Sequence, residues 1–454
     1  MPVGARWSLA LLLAINLFNY IDRYVLAGVE ERIQADFGSS DVLMGLLPLA
    51  FMISYMCLAP LFGWLSDRYH RWSLIGIGVL LWSLASGATG LTASISAMLL
   101  TRIFVGVGEA AYGPVAPTLI ADLFPIRRRG TVLAWFYAAI PVGSALGYLL
   151  AAAVLKILHL SWHWSFFIVV PPGILLGVLA FRMRDPPRGA ADATTAAEKL
   201  KPATLADYKR LLHIPSYLID TAGMTTMAFA MGGIAFWIPK YLVWRAIYAG
   251  TIDPGNDEMR RTALADANWV FGLIVVVSGL LGTLAGGWLG DRLRARWPGS
   301  YFLVSGGSLL VAFPLVLLVP AVDFPQAWIL IFVAVFCLFF STGPTNTILV
   351  NATPPAIRAA AFAVNIFLIH ALGDAFSPFM IGWVNEAFSN PNTIHPGIKA
   401  AGQAGRMFSG NMNVGFYLMS AMVLISGVLW LWGAKYLERD TRRVLGSENS
   451  LNAG

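Results

Sequence analysis

What most constrains this chain is a series of long apolar blocks recurring from its first residues to its last. One runs over 7–29, and others cover 43–65, 73–91, 164–181, 270–289, 301–319, 328–350 and 414–432. A helix crossing the hydrocarbon core of a bilayer needs roughly 20 consecutive apolar residues, more than a soluble core helix usually uses. Inside lipid the backbone has no water to bond, so each segment closes its hydrogen bonds internally as a helix. A transmembrane β-barrel would instead show alternating segments of about ten residues, and this pattern is absent. The stretch 9–15 does not read as a signal peptide ahead of a soluble domain, because comparable blocks follow throughout. Of the residues, 57% are hydrophobic and 12% charged, whereas soluble domains carry roughly 25% charged residues. The expected fold class is therefore all-α integral membrane.

The pattern predicts twelve spans, near 7–31, 42–66, 72–92, 96–123, 130–155, 163–183, 214–245, 263–290, 299–320, 325–350, 357–387 and 408–437. A polar segment rich in Pro, Gly, Ala and Lys separates the two sets of six, as a flexible connector would. The expected organisation is an N-terminal bundle over 1–183, a cytoplasmic linker over 184–211 and a C-terminal bundle over 212–454. Most Lys and Arg fall at 68–71, 127–129, 182–210, 292–296, 358 and 435–443, which this threading puts on one membrane side. That bias predicts cytoplasmic termini. It also accounts for the net charge of +7, which argues against a nucleic-acid partner. The two cysteines, Cys57 and Cys337, lie within apolar blocks. With no CxxC and no His/Cys cluster, neither a metal nor a cofactor is expected.

The two sets of spans echo each other. Gly63-Trp-Leu-Ser-Asp67-Arg68 ends the second span and Gly287-Trp-Leu-Gly-Asp291-Arg292 ends the eighth. Pro125-x-x-x-Arg129 pairs with Pro354-x-x-x-Arg358, and Gly113-Pro114 pairs with Gly343-Pro344. The order is kept, so the chain reads as two parallel six-span repeats, able to rock about a central site. The glycines permit close helix approach, the aspartates accept hydrogen bonds, and the arginines suit a carboxylate or lipid phosphate. Gly63, Asp67, Arg68, Gly287, Asp291 and Arg292 are thus gate candidates; ordinary topology marking is the alternative.

Charged and polar side chains inside apolar spans are costly and therefore functional candidates. The first span holds Asn16, Asn19, Tyr20, Asp22 and Arg23; the fourth holds Arg102 and Glu109 on one helical stripe. Threading the two spans in opposite directions predicts an Asp22–Arg102 pair, with Glu109 deeper and uncompensated. An apolar surround favours the neutral form of a carboxyl, so Glu109 is a candidate for proton coupling; Asp22, which a nearby arginine would keep ionised, is the second candidate. Arg23 and Arg102 suit an anionic head group, supported by Asn19 and Tyr20. His370 and Asp374, four apart in the eleventh span, share a face; they contact either substrate or only each other. Asp220, Asn346 and Asn365 are candidate cavity residues. The stretch Met224 to Met231 suits an adaptable apolar wall or a lipid-facing surface. Gly143-x-x-x-Gly147 and Ser377-Pro378 read as packing and bending features.

The paired Gly-Trp-Leu-x-Asp-Arg turns and the segment from Arg102 to Glu109 resemble signatures of the major facilitator superfamily. Three stretches are similar to its Spinster group: Phe18-Asn-Tyr-Ile-Asp22-Arg23, Gly106-Val-Gly-Glu109-Ala-Ala-Tyr112, and the segment 136–148. The first also resembles organic-anion symporters of that superfamily. The likeness implies two six-helix bundles around a central cavity, alternating access, and proton-linked movement of a lysophospholipid, sphingoid or related amphiphile. It implies that Asp22, Arg23, Arg102 and Glu109 occupy the group's charged positions. The expectation is a secondary transporter of a lipid-like amphiphile, driven by the transmembrane proton gradient. The alternative is a symporter of a small organic anion such as a sugar acid. An enzyme is not expected, because no nucleophile-base-orienter set stands out. The chain is expected to act as a monomer among membrane lipids, in a bacterial inner membrane.

Overall fold

A computed structural model of the chain describes residues 4–66, 68–124, 132, 135–136, 139–187, 209, 211–294, 296–353, 355–389 and 408–451. Asp67, Pro125, Arg129, Pro354 and most of the predicted linker lie outside them. The described residues form helices and turns, and twelve helical segments are long and apolar enough to cross a membrane. In order these are Ala5–Phe37, Asp41–Ser66, Arg71–Thr89, Ile95–Ile120, Ala139–Ile157, His163–Phe181, Pro215–Tyr248, Asp257–Arg294, Ser300–Ala321, Ala327–Ala352, Val364–Ala387 and Met412–Arg443. The count agrees with the sequence reading, and several helices run beyond the predicted ends. The first continues to Phe37 and the eighth begins at Asp257, because charged residues there remain helical.

Two interruptions fall at the same place in each repeat. The fourth span consists of Ile95–Ala110 and Val115–Leu123, with Pro114 at the start of the second piece. The tenth consists of Ala327–Phe340 and Thr342–Ala352, broken just before Gly343-Pro344. Proline withdraws an amide donor and crowds the carbonyl four residues back, so the repeated dipeptide breaks both helices. In the eleventh span the same effect appears next to Pro378. The turn His370–Asp374 is a π-helix in which Gly373 leaves helical geometry, at φ −102° and ψ −108°. The bend predicted at Ser377-Pro378 therefore sits a turn earlier, where Pro378 deprives the Asp374 carbonyl of its usual donor.

The chain forms two compact units. One comprises Met1–Glu198, Ala235–Val276 and Pro378–Met412; the other comprises Lys199–Ile234, Val277–Ser377 and Asn413–Gly454. Parts of the seventh, eighth and eleventh spans thus pack with the N-terminal half. Within the first unit, the first span packs on the fifth, the second on the fourth, and the third on the fourth and sixth. Leu12, Ile15, Val25, Val29, Trp72 and Ile75 form part of its fully buried core. The predicted small-residue contact is present: a Cβ on Gly143 would stand 2.6 Å from Tyr20 Cβ, and one on Gly147 would stand 2.8 Å from the Ile21 carbonyl. Large apolar side chains such as Leu84, Leu175, Leu284 and Ile329 are exposed at more than half of their surface. That is the inverse of a water-facing surface and suits lipid.

Candidate functional site

The first unit gathers the charged residues of the first and fourth spans, with partners different from those the sequence suggests. Arg23 Nε and Nη2 both donate to Glu109 Oε2, at 2.7 and 2.5 Å. The predicted Asp22–Arg102 ion pair is not formed. Asp22 instead accepts a hydrogen bond from Ser86 Oγ, and Arg102 Nη2 donates to Thr89 Oγ1 at 2.5 Å. Asp22 and Arg23 are adjacent, so a helix turns them about 100° apart toward different neighbours. Asp22 meets the third span, while Arg23 turns to the fourth. Glu109 is thus compensated, contrary to the expectation of an uncompensated mid-span carboxyl.

Ser86 and Thr89, three residues apart on one helical face, bring Asp22 and Arg102 to the same edge of the third span. Neither hydroxyl was a candidate, since Ser and Thr in an apolar span commonly bond their own helix. Their spacing of three opposite two charged spans was the available signal. Glycines let these spans close: a Cβ on Gly108 would lie 2.6 Å from the Trp82 amide nitrogen. Asn16 donates to the Phe136 carbonyl at 2.7 Å, just ahead of the fifth span. Asn19 is buried near Glu109, and its Nδ2 has no hydrogen-bond partner among the described residues.

Aromatic rings surround the two guanidinium groups. Arg23 lies 5.2, 4.9 and 5.5 Å from the ring centres of Tyr20, Phe51 and Tyr55. Arg102 lies 5.4 Å from the ring of Phe166. These distances are in the cation–π range. The Arg23 side chain keeps 19% of its surface exposed while the Glu109 side chain keeps none. Arg23 is thus the accessible member of the pair. Phe51, Tyr55 and Phe166 come from apolar stretches in which an aromatic residue looks like ordinary packing.

The remaining candidates divide between the two units. His370 Nδ1 and Asp374 Oδ1 are 2.9 Å apart in the second unit, both half-buried, and each is the other's partner. Asp220 is fully buried near the Trp430 indole. Asn365 is buried and donates to Thr221 Oγ1 at 3.0 Å, whereas Asn346 is exposed and bonds its own helix. Met224, Met227 and Phe229 are buried, which corrects the lipid-facing alternative for that stretch.

At the repeated turns, Arg68 stacks on Trp64 at 3.9 Å and Arg292 on Trp288 at 5.3 Å, so the echo extends to side-chain packing. Asp291 accepts from the Tyr301 hydroxyl at 2.9 Å. The close approach expected at Gly63 is not observed, since a Cβ there would meet nothing within 4 Å, whereas close approach is present at Gly287: a Cβ on Gly343 of the tenth span would stand 3.3 Å from Gly287 Cα. The eighth span also closes on the tenth at Gly286, against the Phe340 carbonyl, and at Gly282, where a Cβ would be 2.6 Å from the Phe336 carbonyl. Near the first turn the buried hub is Arg71, which the motif reading passed over. It pairs with Asp122 at 2.5 Å and Asp185 at 2.8 Å, and its backbone amide also donates to Asp185.

The sequence model of the Major Facilitator Superfamily matches residues 12–378. The chain is 36% identical to "Protein spinster homolog 3" of Danio rerio over 397 residues, covering 86% of this chain and 78% of the relative. It is 37% identical to "Protein spinster homolog 1" of Homo sapiens over 395 residues, covering 85% and 74%. Among solved structures it is similar to a bacterial homologue of the human lysosomal transporter Spinster in an inward-facing, unoccupied conformation. The TM-score is 0.82 at 21% identity, covering 97% of this chain and 99% of that one. A D-xylose-proton symporter shares the fold at TM-score 0.68 and 18% identity, covering 95% and 97%. The chain belongs to the Spinster group of the major facilitator superfamily and is a multi-pass membrane transporter rather than an enzyme.

Proposed function

We propose that this protein is a proton-coupled secondary transporter of a lipid-like amphiphile, of lysophospholipid or sphingoid type, working by alternating access. The observation that carries the reading is the Arg23–Glu109 pair within its aromatic surround. A single guanidinium serves either the Glu109 carboxylate or the anionic head of a ligand. Protonating Glu109 removes its charge and frees Arg23 for the ligand, so proton and anion occupancy are linked through one side chain. Tyr20, Phe51 and Tyr55 offer apolar surface next to that charge, which suits a molecule with a charged head and an apolar body. Asp22 is the second proton-coupling candidate and Arg102 the second anion contact, each held by a third-span hydroxyl. A bacterial inner membrane with both termini cytoplasmic fits the Lys/Arg distribution. The transmembrane proton gradient is the driving force in this reading, and the protein works as a monomer.

The test is an uptake screen in proteoliposomes under imposed pH gradients, comparing lysophospholipids and sphingoid bases with sugar acids. The expected result is gradient-dependent movement of an amphiphile. Movement of a sugar acid alone would replace the cargo assignment, and flux indifferent to the gradient would overturn the coupling.

A further inference from the structure

We propose that Glu30 is a proton-binding site, separate from the Arg23–Glu109 pair, that holds one proton while the first span is packed against the seventh. Glu30 lies in a buried cluster within the first unit, where the end of the first span meets the second, seventh and eighth spans. The acids Glu30, Glu31 and Asp41 are 1%, 0% and 4% exposed; the cations Lys240 and Arg260 are 1% and 4% exposed. Both cations lie outside the basic clusters that the sequence assigns to the cytoplasmic side, and the structure buries them.

The pairing leaves one acid over. Lys240 Nζ donates to Asp41 and to the Gln34 side-chain oxygen, while Gln34 Nε2 donates to Asp41 at 2.8 Å. Asp41 also stands in the first turn of the second helix, where backbone amides favour a negative charge. Glu31 receives Arg260 Nη1 at 3.0 Å. Arg32 is satisfied by Asp257, at 2.6 and 2.8 Å, and Asp257 is shared with Arg260. Glu30 accepts no hydrogen bond at either oxygen, and its nearest ion-pair partner, Lys240, is 3.9 Å away.

From the seventh span, Arg245 donates to the Tyr241 hydroxyl at 3.2 Å. From the eleventh span, Glu386 accepts the Val42 amide proton, and from the eighth, Arg261 donates to the Leu155 and Leu160 carbonyls. Asp36 accepts from the Trp162 indole. A buried carboxylate without a donor is far more costly than a neutral carboxyl in the same place. Among the three acids Glu30 has the fewest donors, so it is the one that takes the proton. Loss of that proton leaves unbalanced negative charge in the cluster and favours separation of the first span from the seventh.

Infrared spectroscopy of the full chain in lipid vesicles, without added substrate, tests this. The acid-minus-alkaline difference spectrum should contain the carbonyl band of a neutral carboxyl. Glu30→Gln should lose one carboxyl's share of that band, and Glu31→Gln should keep it. Glu30→Asp, which retains the acid, should shift the band rather than remove it. An unchanged spectrum for Glu30→Gln, an unshifted band for Glu30→Asp, or loss in Glu31→Gln instead, would overturn the proposal. Because no transport is measured, the outcome is independent of the role proposed for Glu109.

Discussion

Arg23 illustrates what single residues in this chain can and do commit to. Its two nitrogens converge on one Glu109 oxygen while its flat guanidinium lies among three rings. Lysine carries the same charge but has neither the fork nor the flat face. Arg23→Lys should therefore weaken binding of an anionic amphiphile roughly tenfold, about 1.4 kcal/mol, in a ligand titration. Arg102→Ala should weaken anionic ligands more than neutral analogues of the same shape; equal losses would mark it as structural. The identities of these residues were legible in sequence, because ionisable groups inside apolar blocks stand out. Their pairing was not legible. Asp22 and Arg23 differ by one residue, and only the rotation of the packed helix decides which meets Ser86 and which meets Glu109.

At the scale of elements, the spans and their breaks follow from apolar length and proline placement. The packing of glycines depends on which neighbour each faces. Gly147 lies against the first span and Gly63 faces open space, although both stood out equally in sequence. Gly147→Leu should cost about 1–3 kcal/mol through overpacking, read as a lower thermal-unfolding midpoint in detergent. Gly63→Ala, inside a helix with open space for the methyl, should not lower that midpoint. Arg71→Ala should destabilise by up to about 3 kcal/mol, because Asp122 and Asp185 would lose their shared cation. A midpoint for Arg71→Ala equal to wild type would remove its structural role. Arg71 was hard to find from sequence because basic residues are common in cytoplasmic turns, and only burial separates it from Arg68.

For the whole molecule, twelve spans and two repeats were readable because lipid imposes one rule on every segment. The compact units were less readable, since helices of the second half contribute their ends to the first unit. Buried ion pairs such as Lys240–Asp41 and Arg260–Glu31 join segments far apart in sequence, and no local pattern announces them. The central claim is that the Glu109 carboxylate and the anionic cargo compete for Arg23, so that protonation of Glu109 favours cargo binding. Its most direct test is flux through Glu109→Gln in proteoliposomes, comparing uptake driven by a pH gradient with substrate counterflow at uniform pH. The expected result is loss of gradient-driven uptake with counterflow partly preserved. Full uptake with unchanged dependence on the pH gradient would exclude Glu109 as the coupling carboxyl.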